Sequence, residues 1–409
     1  MILCGSGVGP DSMKPSELVN NGRAATRLVA DEFRKLYGGP VGVFRAPGRV
    51  NLIGEHTDYN DGFVMPAALG FYTYIAAGPR VDRKLDVYSI DFNESRSFDL
   101  GNISAGPTGH WSDYVRGVAG VLQESGNAIR GANLVVKGDV PIGAGLSSSA
   151  ALEVATALSL LANSGLNCSR VQVALDCQRA EQEYAGTKCG VMDQFISLFG
   201  TAQHALLLDC RSLGYELLRI QDNVRIVVCN TMVKHELASG EYNRRRVDCE
   251  QGVRFLQQFL PGVRALRDVS LSQLKRYGAD LSEITYKRCR HVITENARVL
   301  AAAESLNESN LVRFGTLMGQ SHLSLRDDYQ VSCKELDLMV DLASQHRGVY
   351  GARMTGGGFG GCTVNIVEAD AVDEFTVAVA REYESATGLQ PEIYVCTAAD
   401  GASEVTNIL

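Results

Sequence analysis

The chain has 409 residues, of which 45% are hydrophobic and 21% are charged. These fractions are typical of folded soluble proteins, and they exclude a disordered chain, a collagen-like repeat and a coiled-coil rod. The net charge is −8, and no long block of Lys or Arg occurs. We therefore expect neither a nucleic-acid nor a membrane partner, and the composition favours small-molecule ligands.

The first half of the chain alternates between helical and extended patterns. Apolar spacing predicts a helix over 16–37, and period-two alternation with turn residues predicts a β-rich block over 41–80. Short apolar runs predict strands at 85–91 and 133–140. A helix is predicted from Ser148, with Gly165 at the position that ends it.

The second half begins near residue 205 with two strand patterns, at 205–210 and 224–229. Two long amphipathic stretches, about 240–260 and 281–306, predict helices. A strand at 362–367, a helix over 370–388 and a strand over 392–399 follow. Strands with segregated helices indicate an α+β protein, and the change of pattern predicts two domains, 1–205 and 206–409.

Cysteine usage argues against a metal-stabilised or exported protein. The 11 cysteines form no CxxC motif and no Cys/His cluster, so structural zinc is not indicated. An odd number of cysteines without a recognisable signal peptide predicts a reduced, cytoplasmic protein. We interpret Cys289 and His291 as a pair on a helix surface, and Arg244–Arg246 as a solvated helix face.

The segment VPIGAGLSSSAALEVA (140–155) lies between a predicted strand and a predicted helix. Free N–H groups at a helix N-terminus bind anions, and Ser hydroxyls bind phosphate or hydrated Mg²⁺. The candidate residues are Gly143, Gly145, Ser147, Ser148 and Ser149. An alternative is that the serines only cap the helix. The lysine of a Walker A loop is absent.

Residues 355–361 read TGGGFGG and formally contain GxGxxG. In a dinucleotide-binding fingerprint this motif opens a helix, whereas here it leads into the strand pattern at 362–367. The glycines therefore indicate either a tight active-site loop, whose backbone approaches another group closely, or a structural hairpin.

The segment GRVNLIGEHTDYNDG (48–62) places several polar side chains on one short loop. Groups that donate and accept hydrogen bonds from one loop suit a polyhydroxylated ligand, although a solvated turn has similar composition.

These three motifs, in this order, resemble those of the GHMP small-molecule kinases, and GRVNLIGEHTDY resembles the signature of the galactokinase family. Further resemblance covers roughly residues 20–405, in the segments HWSDYVRG (110–117), AEQEYAGTKCGVMDQF (180–195), LLLDCRSL (206–213), VKHELASGEYNRRR (233–246) and MTGGGFGGCTV (354–364). The resemblance implies a two-lobed fold, with an N-terminal domain like ribosomal protein S5 domain 2 and a ferredoxin-like C-terminal domain.

The resemblance also implies transfer of the γ-phosphoryl group of ATP to the anomeric hydroxyl of α-D-galactose, with Mg²⁺ as cofactor and no obligatory protein partner. It implies catalytic roles for Asp193 and Arg49. The implied sugar-binding residues are Glu55, His56, Asp58, Gly190 and Tyr242. The implied nucleotide-binding residues are Trp111, Tyr114 and Lys234, together with the glycines and serines of 143–149. Glu181 with Ser148 or Ser149 would hold the metal.

The chemistry of phosphoryl transfer is compatible with these implied residue roles. Phosphoryl transfer mainly requires positioning and neutralisation of charge. An arginine beside Asp193 favours the ionised carboxylate, so we expect Asp193 chiefly to orient the sugar hydroxyl and to accept its proton late. Two alternatives stay open at this point: a related kinase for N-acetylgalactosamine or L-arabinose, and a non-catalytic galactose sensor. The intact GLSSSAA run at 145–151 disfavours the sensor.

Overall fold

The structure is a computed structural model that describes residues 15–234 and 238–408. Its helices are α1 (Pro15–Tyr37), α2 (Asp113–Glu124), α3 (Ser148–Ser164), α4 (Arg170–Ala180), α5 (Met192–Phe199), α6 (Ala238–Leu256), α7 (Leu271–Tyr277), α8 (Glu283–Asn307), α9 (Leu311–Ser324), α10 (Lys334–Gln345) and α11 (Val372–Thr387). Its strands are β1 (Gly42–Asn51), β2 (Phe63–Val64), β3 (Pro66–Pro79), β4 (Lys84–Ser89), β5 (Glu94–Asp99), β6 (Ala132–Gly138), β7 (His204–Asp209), β8 (Tyr215–Arg219), β9 (Val224–Lys234), β10 (Val349–Thr355), β11 (Gly360–Glu368), β12 (Glu392–Cys396) and β13 (Ser403–Glu404).

The first lobe is built on a six-stranded sheet in the order β13-β1-β3-β6-β4-β5. Successive side chains of a strand point to opposite faces, so each face acquires its own core. Val43 packs under α1, whereas its neighbour Phe44 packs with α2 to α5 on the other face. Helices on both faces bury this sheet.

The second lobe has a four-stranded antiparallel sheet in the order β10-β11-β9-β12. Ile226 and Val228 face α8 and α9, whereas Val227 and Cys229 face α10 and α11. The strand predicted at 224–229 is therefore confirmed, and this sheet too is covered on both faces.

A shared apolar core joins the lobes. Leu52 and Ile53, which follow β1, pack in the same cluster as Val228 and Val364 of the second sheet. The short strand β2 joins β7 and β8 in a third sheet. The final strand β13 returns to pair with β1. We keep the division near residue 205 as a proposal, with the last strand counted in the first lobe.

Most of the predicted elements are confirmed. The helix from Ser148 ends at Ser164, and Gly165 follows with a left-handed φ of 68°, as the sequence predicts. The α+β class is also confirmed. Among the described helices, none has the length and apolar character needed to span a bilayer.

Candidate functional site

A cavity of about 260 Å³ lies between the lobes, and all three motifs border or adjoin it. Predicted site residues that line it are Arg49, Glu55, His56, Asp58, Glu181, Asp193 and Tyr242, together with Gly356, Gly357 and Gly358 of the glycine loop.

An arginine–aspartate pair forms the floor of the cavity. Arg49 lies on β1, where a register shift between Pro47 and Arg49 turns its side chain toward α5. Its Nε and Nη2 atoms donate to Asp193 Oδ1 and Oδ2, each at 2.7 Å, and Nη1 donates to the Gly145 carbonyl at 2.7 Å. Burial opposes the charge on Arg49, but the carboxyl groups of Asp193, Glu55 and Asp58 together outweigh burial and raise the pKa of Arg49. The two parallel N–H···O bonds fix the direction of the Asp193 carboxyl group.

The serine loop lies directly against this pair. Gly48 is required at that point, because a Cβ there would lie 2.6 Å from the Leu146 carbonyl oxygen. Ser147 has a left-handed backbone, with φ of 57°, and makes no side-chain cap to α3. Its hydroxyl donates instead to Asp193 Oδ2. Capping alone thus does not account for Ser147, which is bound to the predicted catalytic carboxylate.

Ser148 and Ser149 begin α3 and remain partly exposed. Gly143 and Gly145 precede them with φ of 72° and 76°, values that glycine adopts without the steric cost of a side chain. Both glycines are exposed. The loop therefore presents exposed backbone and partly exposed serine hydroxyls at a helix N-terminus, the geometry that binds phosphate oxygens.

Glu55 connects the polar loop of 48–62 to the glycine loop. Its Oε1 accepts from the Gly356 backbone N–H at 2.6 Å, and its Oε2 accepts from Asn51 Nδ2. Arg353 Nη1 lies 3.6 Å from Oε1. Burial raises the pKa of Glu55, although Arg353 and Arg49 oppose that shift. The glycine loop is a hairpin between β10 and β11 that also walls the cavity, so both predicted interpretations apply.

Asp58 and Gly190 are packed against each other. A Cβ on residue 190 would lie 2.1 Å from Asp58 Oδ2, so only glycine fits beside this carboxylate. The Tyr59 N–H donates to Asp58 Oδ1 at 2.9 Å. Burial, and then the charge of Asp193, raise the pKa of Asp58 to about 7. A group that donates to the carboxylate would stabilise its ionised form.

His56 and Tyr242 close the cavity on the side of α6. The two rings lie 5.4 Å apart between centroids. His56 is buried, has a left-handed φ of 64°, and its Nδ1 atom lies 2.7 Å from the Tyr59 hydroxyl. Its Nε2 atom makes no hydrogen bond of good geometry to the described residues, although the Gly357 backbone lies near the ring. An unpaired buried polar atom is costly and is suited to a ligand's hydroxyl group.

Glu181 belongs to a network of buried carboxyl groups that the sequence did not reveal. Gln194 Nε2 donates to Glu181 Oε2 at 2.7 Å and to Glu153 Oε2 at 2.9 Å. The nearby Ser149 hydroxyl acts to lower the pKa of Glu181, but less than burial and Asp193 raise it. Burial, and then Asp193, raise the pKa of Glu181 to about 7, and burial with Glu181 raises that of Glu153 well above its ordinary value.

Glu181 and the neighbouring serine hydroxyls fit one kind of metal site. In the part of the chain described, no group of three or more His, Cys, Asp or Glu side chains forms a complete cage. Mg²⁺ usually keeps several waters and binds through one or two carboxylates plus substrate phosphates. Glu181 beside a serine hydroxyl therefore fits Mg²⁺ that arrives with a nucleotide.

The other predicted nucleotide residues lie away from the cavity wall. Trp111 stacks on Phe92, with centroids 5.7 Å apart, and donates to Glu94 Oε2 at 3.1 Å. Tyr114 is partly buried, and burial, then Glu181, raise its pKa. Lys234 ends β9 opposite Gly360, but its side chain lies outside the described residues, as does part of the VKHELASG segment.

One prediction about surface residues is wrong, and a second is confirmed only in part. Cys289 and His291 are fully buried, not on a helix surface. His291 Nε2 contacts the Glu55 carbonyl at 3.1 Å, so it supports the polar loop. In the run 244–246, Arg244 is exposed and Arg246 pairs with Glu250 four residues on, as predicted. Arg245 is instead buried and donates to the carbonyls of Tyr329 and Gln330, each at 2.9 Å. Helical periodicity could have indicated burial of His291 but not its partner.

Comparisons with known proteins agree with this geometry. The galactokinase galactose-binding signature matches residues 31–79, the GHMP kinase N-terminal domain matches 113–201 and the GHMP kinase C-terminal model matches 302–385. The galactokinase of Chloroflexus aggregans is 50% identical over 91% of this chain and 95% of its own length, and that of a Roseiflexus species is 47% identical over 93% and 97%.

Solved structures extend the likeness to the fold. The crystal structure of Lactococcus lactis galactokinase in complex with galactose superposes with a TM-score of 0.89, at 35% identity, and covers 93% of this chain and 100% of that one. The mevalonate kinase of Methanococcus jannaschii, at 17% identity and a TM-score of 0.61 over 88% and 99% of the two chains, shares the fold. The two-lobed GHMP kinase fold is thereby confirmed, and the chain belongs to the galactokinase family.

Proposed function

We propose that this chain transfers the γ-phosphoryl group of ATP to the anomeric hydroxyl of α-D-galactose and forms galactose 1-phosphate and ADP. One observation carries the proposal. The hydrogen-bonded Asp193–Arg49 pair lies in the crevice between the polar loop of 48–62 and the serine loop. A sugar bound against the first loop would have a hydroxyl between the carboxylate and a phosphate held by the second.

In this scheme the anomeric hydroxyl donates a hydrogen bond to Asp193. The sugar oxygen forms a bond to the γ-phosphorus, the bond from that phosphorus to the bridging oxygen breaks, and ADP leaves with that bond's electrons. The hydroxyl proton passes to Asp193 late in this step, when the oxygen has already lost electron density to phosphorus. Arg49 itself fixes the direction of the carboxylate.

The sugar is bound by the side chains that crowd the first loop. Glu55 and Asp58 offer acceptors, and His56 Nε2 offers a group that makes no well-formed hydrogen bond to any residue that the structure describes. Gly190 has no side chain, and this leaves room for the Asp58 carboxyl group beside it. Tyr242, on α6, would cover the place where the sugar ring binds. A site that pairs with specific hydroxyls rejects sugars that lack or invert them, because its buried groups are then left unpaired.

The nucleotide would bind along the serine loop. Backbone groups of 143–149 and the Ser148 and Ser149 hydroxyls suit the phosphates, and Trp111, Tyr114 and Lys234 are proposed to border the nucleotide. Glu181, with Ser148 or Ser149, would hold Mg²⁺. When bound, Mg²⁺ neutralises charge on the phosphate oxygens. We further propose that the protein works in the cytoplasm without an obligatory protein partner.

A coupled assay of ADP release tests the proposal. Purified chain with Mg²⁺, ATP and galactose should turn over, with kcat/KM for galactose above those for N-acetylgalactosamine, L-arabinose and glucose. Higher kcat/KM for one of the other sugars would reassign the substrate. Galactose and ATP binding without turnover, in a folded sample, would support the sensor alternative and contradict the proposed reaction.

A further inference from the structure

A buried chain of hydrogen-bonding groups runs from His56 away from the crevice. His56 Nδ1 lies 2.7 Å from the Tyr59 hydroxyl, which lies 2.9 Å from the Tyr329 hydroxyl. That hydroxyl in turn lies 3.2 Å from Cys249 Sγ. Tyr329 and Cys249 are fully buried. Because low dielectric strengthens such contacts, the chain fixes the groups that it joins.

Two orders of protons satisfy every link in this chain and also use both tyrosine O–H groups within it. Burial, and then the charge of His291, lower the pKa of His56 well below its ordinary value, so its ring is neutral and carries one N–H. In one order the Cys249 S–H donates to Tyr329, Tyr329 to Tyr59, and Tyr59 to Nδ1, which leaves the proton on Nε2. In the reverse order Nδ1–H donates and the Cys249 sulfur is the last acceptor.

Two features favour the first order. Sulfur is a weak acceptor, whereas an imidazole nitrogen is a good acceptor for a phenol O–H. The crevice is also rich in hydrogen-bond acceptors, because the carboxyl groups of Glu55, Asp58 and Asp193 line it. Donors are fewer, because the Arg49 guanidinium already donates to Asp193 and to the Gly145 carbonyl. A sugar oxygen needs donors as well as acceptors.

We propose that Tyr59 and Tyr329 are positioning residues that hold His56 as the Nε2–H tautomer, so that the ring presents an N–H donor to a sugar oxygen. This inference rests on the proposed function, because it makes His56 a sugar-contacting group. Neither tyrosine hydroxyl needs to touch the substrate.

Nitrogen NMR of the ligand-free, full-length protein, labelled with ¹⁵N at histidine, reads the tautomer directly. The chain has seven histidines, and the signals lost in His56→Gln identify those of His56. We expect a protonated Nε2 and a bare Nδ1. A protonated Nδ1 in the wild-type protein would overturn the proposal. The readout requires no turnover, so it is distinct from a failure of the proposed reaction.

Two variants then test the role of the chain. Tyr59→Phe should move the ¹⁵N chemical shifts of both His56 nitrogens toward those of a mixture of tautomers. It should also raise KM for galactose about threefold to tenfold, which corresponds to the loss of one hydrogen bond. KM for ATP should stay unchanged. Tyr329→Phe should act in the same direction more weakly. The matched control is Tyr383→Phe, which removes a buried hydroxyl bonded to the Thr231 carbonyl at 3.0 Å. His56 signals that stay unchanged in both variants, as in the control, would overturn the proposal.

Discussion

Replacing Asp193 with asparagine tests the proposed reaction at its centre. The two carboxylate oxygens accept three hydrogen bonds, two from Arg49 at 2.7 Å each and one from the Ser147 hydroxyl. An amide keeps one acceptor and turns an N–H₂ group toward one of these donors. It also cannot take the sugar proton. Because positioned general bases contribute about 10² to 10⁴ in rate, we expect kcat to fall by that factor.

The same change leaves Arg49 buried without its ionic partner. Breaking a buried pair costs about 3–5 kcal/mol. The Asp193 side chain is 21% exposed, and Glu55 and Asp58 still act on Arg49, so we expect the lower end, about 3 kcal/mol. Denaturant unfolding measures this loss.

Asp268→Asn is the matched control for that experiment. Asp268 is also 21% exposed and accepts two bonds from one arginine, Arg211, at 2.6 and 3.0 Å, but it does not line the crevice. This variant should lose some stability and keep its turnover. A turnover near the wild-type value in Asp193→Asn, measured in folded protein, would refute the assigned role.

Three further predictions follow from individual contacts. Gly190→Ala places a methyl group 2.1 Å from Asp58 Oδ2 and should raise KM for galactose at least about tenfold, whereas Gly319→Ala, with open space around it, should not. Asp58 binds its proton up to about pH 7 in the folded chain, against 3.8 ordinarily, so its contribution to stability is lost as pH rises through that range. Asp58→Asn should therefore gain in Tm relative to wild type between pH 5 and 8, and a constant difference would contradict this. Ser149→Ala should raise the Mg²⁺ concentration for half-maximal activity about tenfold, unlike Ser159→Ala on the same helix.

The sequence predicted the parts of the site that lie within short motifs. The residues of 48–62 and the serine loop show their chemistry locally, through glycine, hydroxyl and carboxyl groups at fixed spacing. The helix from Ser148 was predictable for the same reason, since its apolar positions recur along one face and Gly165 ends it. Family resemblance added Asp193 and Glu181, whose local context is ordinary.

Contacts between distant segments could not be predicted in this way. His291 supports the Glu55 carbonyl from α8, 236 residues further along the chain. Tyr329 reaches Tyr59 across 270 residues. Periodicity reports which face of an element is apolar, but it does not report which other element covers that face. The buried Glu153, which looks like a surface carboxylate in the sequence, was missed because its partner Gln194 comes from another helix.

The position of the transferred phosphate tests the central claim most directly. The claim is that one crevice holds a sugar's anomeric hydroxyl between Asp193 and the serine loop. After incubation with galactose, ATP and Mg²⁺, ³¹P NMR should show a sugar phosphate whose signal is coupled to the anomeric proton of α-galactose. A phosphate coupled to the C6 protons, or nucleotide signals that stay unchanged, would contradict the account.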